Sequence, residues 1–404
     1  MLDQSNLSRR MTLSSVVQAI TTYGPISRAS VAKMTGLSKQ TVSEVVLSLE
    51  KDGWVQTVGR TEGNVGRRAV VYEIVPEAAL VASVDLGGTK VRVALCDLTG
   101  KVVAEMVEPT TQCGGVAVVD QIGRLTHETA AAHRIDQEKI RVAVVGVPGV
   151  PEAETGQVKM APNIKGIDTI NFPALLHERL GVEVLVENDV NLAALGEHWM
   201  THQGDEDDLV YLSIGTGIGA GIVIGGKLVR GASGAAGEVG FLPFGADPFE
   251  AESKTTGALE RVSATQAITS HYFELTGTAK NVPDVFEAAL AGDQDAKQVL
   301  KSVASYIARA VAAIASVIDP ACVIIGGSIG AREELVSLIK LEIDRCFPRS
   351  IPVEPSILGN HAALAGGTSI ALSRLHIALF SGGLPGAKIV VPPPQVRTYL
   401  EDVS

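Results

Sequence analysis

Leu13, Val16, Val17 and Ile20 recur at i, i+3, i+4 and i+7, which lays one apolar stripe along a first helix ending before the breaker pair Gly24-Pro25. Ser27 stands as the N-cap of a short second helix that carries Val31 and Met34 and stops at Gly36. Ser38 caps a third helix, in which Val42, Val45, Val46 and Leu49 form the buried stripe. Ser38, Lys39, Gln40, Thr41 and Ser43 are left near its exposed N-terminal face, from which such side chains reach base edges and phosphates. The turn Thr35-Gly36-Leu37-Ser38 spaces the second and third helices as a helix-turn-helix does, with Leu37 filling the angle between them.

Gly53 closes the third helix, and Trp54 to Val58 and Ala69 to Ile74 read as two strands whose connecting tip holds Arg60, Arg67 and Arg68. Three arginines on a glycine-rich tip suit phosphate or minor-groove contact. A solvated turn above a three-helix interaction module fits the same periodicity. Residues 1–75 as a whole resemble the winged helix-turn-helix of bacterial repressors, which implies double-stranded DNA as a partner. Charge agrees: this segment holds nine Lys/Arg against six Asp/Glu, the remainder 25 against 39. A net charge of −11 spread evenly would argue against nucleic acid, whereas a basic head on an acidic body binds phosphates while the body stays soluble.

Beyond Pro76 strands and helices alternate, which predicts an α/β architecture. Leu80 to Val84 and Val91 to Cys96 flank Asp85-Leu86-Gly87-Gly88-Thr89-Lys90, and about 130 residues later Leu209 to Ile214 and Gly221 to Ile224 flank Gly215-Thr216-Gly217-Ile218-Gly219-Ala220. Two such hairpins predict two duplicated lobes facing a cleft. Glycines let backbone N–H groups approach an anion and a threonine hydroxyl adds a donor, so either tip can cradle phosphate, although turns also need glycine for conformational reasons. Neither is a Walker A loop, and neither has the strand-turn-helix context of a dinucleotide fingerprint.

A chain of 404 residues calls for two or three compact units at roughly 100–200 residues per domain. With 46% apolar residues, 20% charged residues and 42 glycines it has the composition of a globular α/β protein. Gly, Pro or charge interrupts each apolar stretch before the roughly 18 residues of a membrane helix, and no basic-then-apolar leader opens the chain; the expected location is the cytoplasm, without a membrane partner. Cys96, Cys113, Cys322 and Cys346 form no CxxC pair and no Cys/His cluster, and read as isolated residues in a reducing compartment. Pro392-Pro393-Pro394 predicts an extended stretch packing on a neighbouring lobe.

Asp85-Leu86-Gly87-Gly88-Thr89-Lys90, Ala161-Pro162-Asn163, Glu187-Asn188-Asp189-Val190-Asn191, Gly215-Thr216-Gly217-Ile218-Gly219 and Gly231-Ala232-Ser233-Gly234-Ala235-Ala236-Gly237-Glu238 follow one another in the order seen in the ROK family of repressors and sugar kinases. The resemblance runs from about residue 80 to residue 375. With the N-terminal module the chain resembles a ROK repressor, since free-standing ROK kinases generally lack that module. The family implies an actin-like, two-lobed ATPase fold (ROK sugar-kinase-like), as a homodimer or homotetramer. The expected domains are a winged helix-turn-helix over 1–75 and a ligand-binding domain over 76–404, with lobes at about 79–196 plus 362–377 and at 197–361.

Carried over position by position, the resemblance makes Asp189 the counterpart of the kinases' general base, able to accept a proton from an attacking sugar hydroxyl. Asp189 also suits the N-cap of a helix over 190–200. Asn163, Asn188, Asp189, Glu238 and Glu260 match sugar-binding positions, with an exposed helix carboxylate as the other reading of Glu260. Asp85, Gly87, Gly88, Thr89, Gly215, Thr216 and Gly217 match the phosphate side, and Gly326 and Gly327, after the strand Cys322 to Ile325, the adenosine side. ATP and Mg would be needed only for retained kinase activity.

One stretch departs from the family. Its usual histidine three residues after the Gly-Glu pair is Phe241 here, and Leu242 to Glu260 contains no cysteine or histidine. The family's structural zinc is therefore expected to be absent, because phenylalanine cannot ligate and carboxylates alone make a poor soft-metal site. A hydrophobic cluster of Phe241, Leu242, Phe244 and Phe249 is expected in its place. The resemblance implies a sugar-responsive regulator, most often a repressor of carbohydrate-metabolism genes released by a sugar or sugar derivative. The alternatives are a bifunctional ATP-dependent hexose or amino-sugar kinase, and a non-DNA interaction protein.

Overall fold

A computed structural model describes residues 4–60, 69–152, 155–161, 163–201, 208–381 and 389–397. It begins with α1 (Gln4–Tyr23), β1 (Ile26–Ser27), α2 (Arg28–Thr35), α3 (Lys39–Lys51), β2 (Val55–Arg60) and β3 (Val70–Ile74). Val16, Val17 and Ile20 of α1 are buried, as are Val31, Ala32, Val42, Val46 and Leu49. Ser27 and Ser38 accept the Ser30 and Thr41 N–H groups at 3.1 and 3.0 Å, and Gly36 ends α2 in the left-handed region. Met34 is exposed; α2 has only two turns, and Val31 and Ala32 fill its buried arc. β1 is too short to show an alternation, yet it pairs Ile26 with Tyr72 and completes a sheet in the order β1-β3-β2. Arg67 and Arg68 lie outside the described residues.

The chain divides into two compact units, residues 1–151 with 155–187 and 367–404, and residues 152–154 with 188–366. The boundaries thus fall at 187/188 and 366/367, and residues 1–75 belong with the first unit. After the head this unit contains β4 (Leu80–Leu86), β5 (Lys90–Asp97), β6 (Val102–Pro109), α4 (Gly115–Ala132), β7 (Ile140–Val147), β8 (Val150–Pro151), β9 (Val158–Lys159), α5 (Phe172–Leu180) and β10 (Glu183–Asn188). Its main sheet has the order β10-β7-β4-β5-β6. β4 is almost wholly buried, as its continuous apolar run requires of a central strand beside a parallel neighbour, here β7. Val84, Leu86, Val91 and Val93 pack with Val118, Ile122 and Phe172 from the helices.

The second unit contains α6 (Asp189–Thr201), β11 (Leu209–Ile214), β12 (Ile218–Ile224), β13 (Lys227–Leu228), α7 (Ala251–Thr256), α8 (Glu260–Ser263), α9 (Thr265–Thr276), α10 (Val282–Leu290), α11 (Gln294–Ile318), β14 (Cys322–Gly326), α12 (Gly327–Gly330), α13 (Glu333–Cys346) and β15 (Val353–Pro355). Its sheet order is β13-β12-β11-β14-β15. In each unit an antiparallel meander extends from its first strand to a parallel neighbour, β4 to β7 and β11 to β14. That repetition is the duplication the two glycine hairpins predicted. Val210, Leu212 and Ile214 face Val303, Ile307 and Val311 of α11.

α14 (Ala362–His376) and a π-turn, Ile377–Ser381, follow. The Phe380 ring meets Trp54 edge-on at 5.6 Å between centroids. Gln18 of α1 donates to the Val390 carbonyl and accepts the Val390 N–H, each at 2.8 Å. The C-terminal stretch therefore packs on the head rather than on a neighbouring lobe. Two helical runs, Gln294–Ile318 and Gly359–Ser381, are long and apolar enough in composition to cross a bilayer, contrary to expectation; Val299, Leu300, Val303 and Ile307 in the first are core residues.

Candidate functional site

The first unit gathers one group of expected site residues around the β4–β5 hairpin. Asp85 sits near the end of β4, opposite Arg92 on β5 and Gly146 on β7. At the tip the Gly87 N–H donates to Lys90 O at 2.9 Å, and Thr110 Oγ1 donates to Gly87 O at 2.7 Å. Thr89 is exposed. Asn163 lies against Gly88, where a Cβ would stand 3.1 Å from the Asn163 Cβ. The tip and Asn163, 75 positions apart in the chain, thus share one place.

The second unit gathers the rest around the β11–β12 hairpin. Gly215 donates to Gly217 O at 3.0 Å, and Thr265 Oγ1 donates to Gly215 O at 2.9 Å, as Thr110 does to Gly87. Thr216, at the apex, is exposed. Beside this tip runs the turn Gly326-Gly327-Ser328: Ser328 Oγ lies 3.1 Å from the place a Gly215 Cβ would take. Gly327 has φ +84°, with Ile214 packed against it. The expected phosphate-side and adenosine-side glycines of this unit are therefore neighbours.

Asn188 and Asp189 open α6, whose next residue, Val190, packs on Gly219 of β12. Asn188 Oδ1 accepts the Asn191 N–H at 3.0 Å, so the capping bond expected of Asp189 belongs to Asn188. The helix begins one residue earlier than its apolar pattern indicates, which makes Asp189 its first residue; its Oδ1 accepts the Val190 N–H at 2.9 Å.

Glu238 and Glu260 are half-buried, and neither is the exposed helix carboxylate that was one reading of Glu260. Glu260 Oε2 accepts the Ile218 N–H at 2.8 Å and approaches Gly217 so closely that a Cβ there would stand 2.8 Å from it. Burial pushes the Glu238 carboxyl above the usual carboxylate range; burial first, then Glu238, push Glu260 up against the pull of the Ile218 N–H. Two adjoining carboxyls of this kind suit the hydroxyls of an uncharged polyol and disfavour an anion.

The Phe241–Phe249 segment differs from expectation. Leu242 and Phe244 pack on the core, but Phe241 is 39% exposed and Phe249 82%. Arg261 holds the stretch that follows, with Glu250 Oε2 at 2.6 Å, Ser253 Oγ at 2.6 Å and Glu252 Oε2 at 2.9 Å. Zinc does not fit these donors: Phe241 offers no ligand atom, and Glu250 and Glu252 already pair with Arg261.

Sequence reasoning missed Thr110, Thr265 and a buried polar network under Gly326. The Tyr211 phenol fills the space that a Gly326 Cβ would need. Nearby, Ser356 Oγ and the Leu358 N–H, the latter at 3.2 Å, donate to Glu197 Oε1. Burial pushes both Glu197 and Tyr211 up. No local signal marks these residues, because their partners are far away in the chain.

The ROK family pattern matches residues 81–374, which include both hairpins, Asp189, Glu238 and Glu260. The chain belongs to the ROK family. A xylose repressor of Caldicellulosiruptor bescii is 28% identical over 87% of this chain and 92% of its own length. A glucokinase of Halalkalibacterium halodurans is 32% identical over 70% of this chain and 92% of its own. The crystal structure of a ROK family transcriptional regulator, a homologue of the E. coli MLC protein, matches with a TM-score of 0.76 at 23% identity and covers 92% of this chain and 98% of its own. The repressor and regulator matches extend beyond the stretch that this ROK member shares with the kinase.

Proposed function

We propose that this ROK protein is a sugar-responsive, DNA-binding transcription regulator, a repressor that leaves its operator when an uncharged sugar binds at Glu238, Glu260 and Asp189. The observation that carries the reading is similarity to a sugar repressor across 87% of the chain. It is supported by the head, whose α3 exposes Ser38, Lys39 and Gln40 above a capped first turn, the arrangement of a recognition helix with β2 and β3 as its wing. A homodimer or homotetramer would match a palindromic operator with half-sites about one helical turn apart. Sugar acts by favouring one arrangement of the heads, so its binding and that of the duplex are linked reciprocally.

The test is to select bound duplexes from a random pool and titrate the best one at fixed salt with xylose, glucose, N-acetylglucosamine and their phosphates. One neutral sugar should both raise the melting temperature and weaken duplex binding. A sugar that binds tightly and leaves duplex affinity unchanged overturns the reading.

A second reading, ATP-dependent sugar phosphorylation, draws on Asp189 and the glucokinase match. In it a sugar hydroxyl attacks the γ-phosphorus, ADP leaves, and Asp189 takes the hydroxyl proton. Saturable ATP consumption lost in Asp189→Asn would establish it.

A further inference from the structure

In the head, the first turn of α2, the exposed face of α3 and the start of β3 enclose a cleft of about 340 Å³ lined by Arg28, Lys39, Ser43, Ala69 and Tyr72. Arg28 lies 4.7 Å from the centroid of the Tyr72 ring and donates through Nη2 to Tyr72 Oη. Tyr72 is only 4% exposed and is pinned in the sheet between Ile26 and Thr57, so it fixes the guanidinium from two directions. Arg28 Nε is buried and has no hydrogen-bond partner. Among the described residues neither Arg28 nor Lys39 has a carboxylate partner, whereas Arg92, Arg124 and Arg374 each pair with a glutamate.

Two uncompensated cations beside a hydroxyl call for an anion that offers several oxygens. Lys39 and Ser43 are one helical turn apart, on the same N-terminal part of α3 as Gln40 and Thr41. The geometry points to a phosphate seat: Arg28, Lys39 and Ser43 hold one backbone phosphate of duplex DNA and thereby set the register of α3 on the groove. The inference rests on the DNA-binding reading above and adds Arg28, with Tyr72 as its positioning residue. Arg28 reads no base. A guanidinium held on a ring and spared a protein anion is prepared for an oxyanion, since such charge-assisted bonds are among the strongest available to it.

The experiment measures fluorescence anisotropy of the full chain with a selected duplex and a scrambled duplex of equal length, over a series of KCl concentrations. Arg28→Gln should weaken both duplexes by the same factor, about tenfold, and reduce the log–log salt slope by about 1. Tyr72→Phe, which keeps the ring and removes the hydroxyl, should lose about threefold on both duplexes, and Arg28→Lys should fall between wild type and Arg28→Gln. Thermal melts of the three variants check folding. If wild type binds and Arg28→Gln leaves the slope unchanged, or weakens only the selected duplex, the phosphate seat is wrong. If inorganic phosphate raises the melting temperature of wild type but not of Arg28→Gln while the DNA slope stays the same, the cleft belongs to a free anion and the inference also fails. Wild type that retains neither duplex would refute the DNA-binding reading itself, a separate outcome.

Discussion

The head and the rest of the chain treat their ionisable groups in opposite ways. In the head, Arg28, Lys39 and Arg60 have no carboxylate partner among the described residues. Further along, several charges pair and several titrations are shifted: Arg92 meets Glu105 and Arg261 meets Glu250, each at 2.6 Å, while burial pushes Asp97, Glu197, Glu238 and Glu260 up and His376 down. Unpaired surface cations gain their free energy from an outside polyanion and lose it as salt is added. Groups whose titration burial shifts respond instead to pH, through the stability of the fold. Salt should therefore act on the head and pH on the body.

The largest effect that would test this contrast is expected at His376, fully buried, with a ring nitrogen near the Leu98 carbonyl and its pKa lowered by burial to about 4. The unfolded chain takes up a proton below about pH 6.5 and the folded one does not until about 4, so stability is lost as pH falls through that window. The loss amounts to about 3 kcal/mol, read by urea denaturation between pH 7 and pH 4. His376→Gln should be flatter by that amount; parallel curves would show that the imidazole is not held neutral.

Next in size is the double change Arg28→Gln with Lys39→Gln. Both cations hold the same phosphate, so duplex affinity should drop about 30-fold irrespective of sequence, less than additively, and the salt slope should shrink by about 1. The melting temperature should fall only modestly, because neither side chain gives up an ion pair and only Arg28 gives up a contact, the one with Tyr72. A large fall in stability would mean that these cations serve the head's own fold.

The smallest effect is expected at Glu197, whose folded carboxyl is raised by burial. A raised acid weakens the fold as pH climbs above the ordinary carboxylate range, and the penalty vanishes at low pH. Glu197→Gln keeps an oxygen for Ser356 and Leu358, so it should stabilise the fold more at pH 8 than at pH 4, below the ordinary carboxylate value. Equal stabilisation at both values would make the effect one of packing.

What could be read from residue order alone was whatever neighbours decide. The stripe Val42, Val46, Leu49, the caps Ser27 and Ser38 and the two glycine hairpins all depend on partners within a turn or a strand pair. The capping bond moved by one residue because Asn188 and Asp189 both favour that role, and only the helix start decides between them. Phe249 misled because aromatic content does not say which way a ring points, and Arg261 had no local sign of its role. Arg28 and Tyr72 are 44 residues apart, so their pairing is a product of the sheet that β1 and β3 make together. Asp189, Glu238 and Glu260 were legible through family order, but the Ile218 N–H that Glu260 holds was not.

The grip of Gln18 on Val390 joins positions 372 residues apart. At a translation rate of roughly 5–20 residues per second, α1 leaves the ribosome some 20 to 75 seconds before its partner exists. A newly made head therefore stays unclasped until Val390 has been synthesised, and a nonsense or frameshift product that stops short of Val390 would lack this clasp.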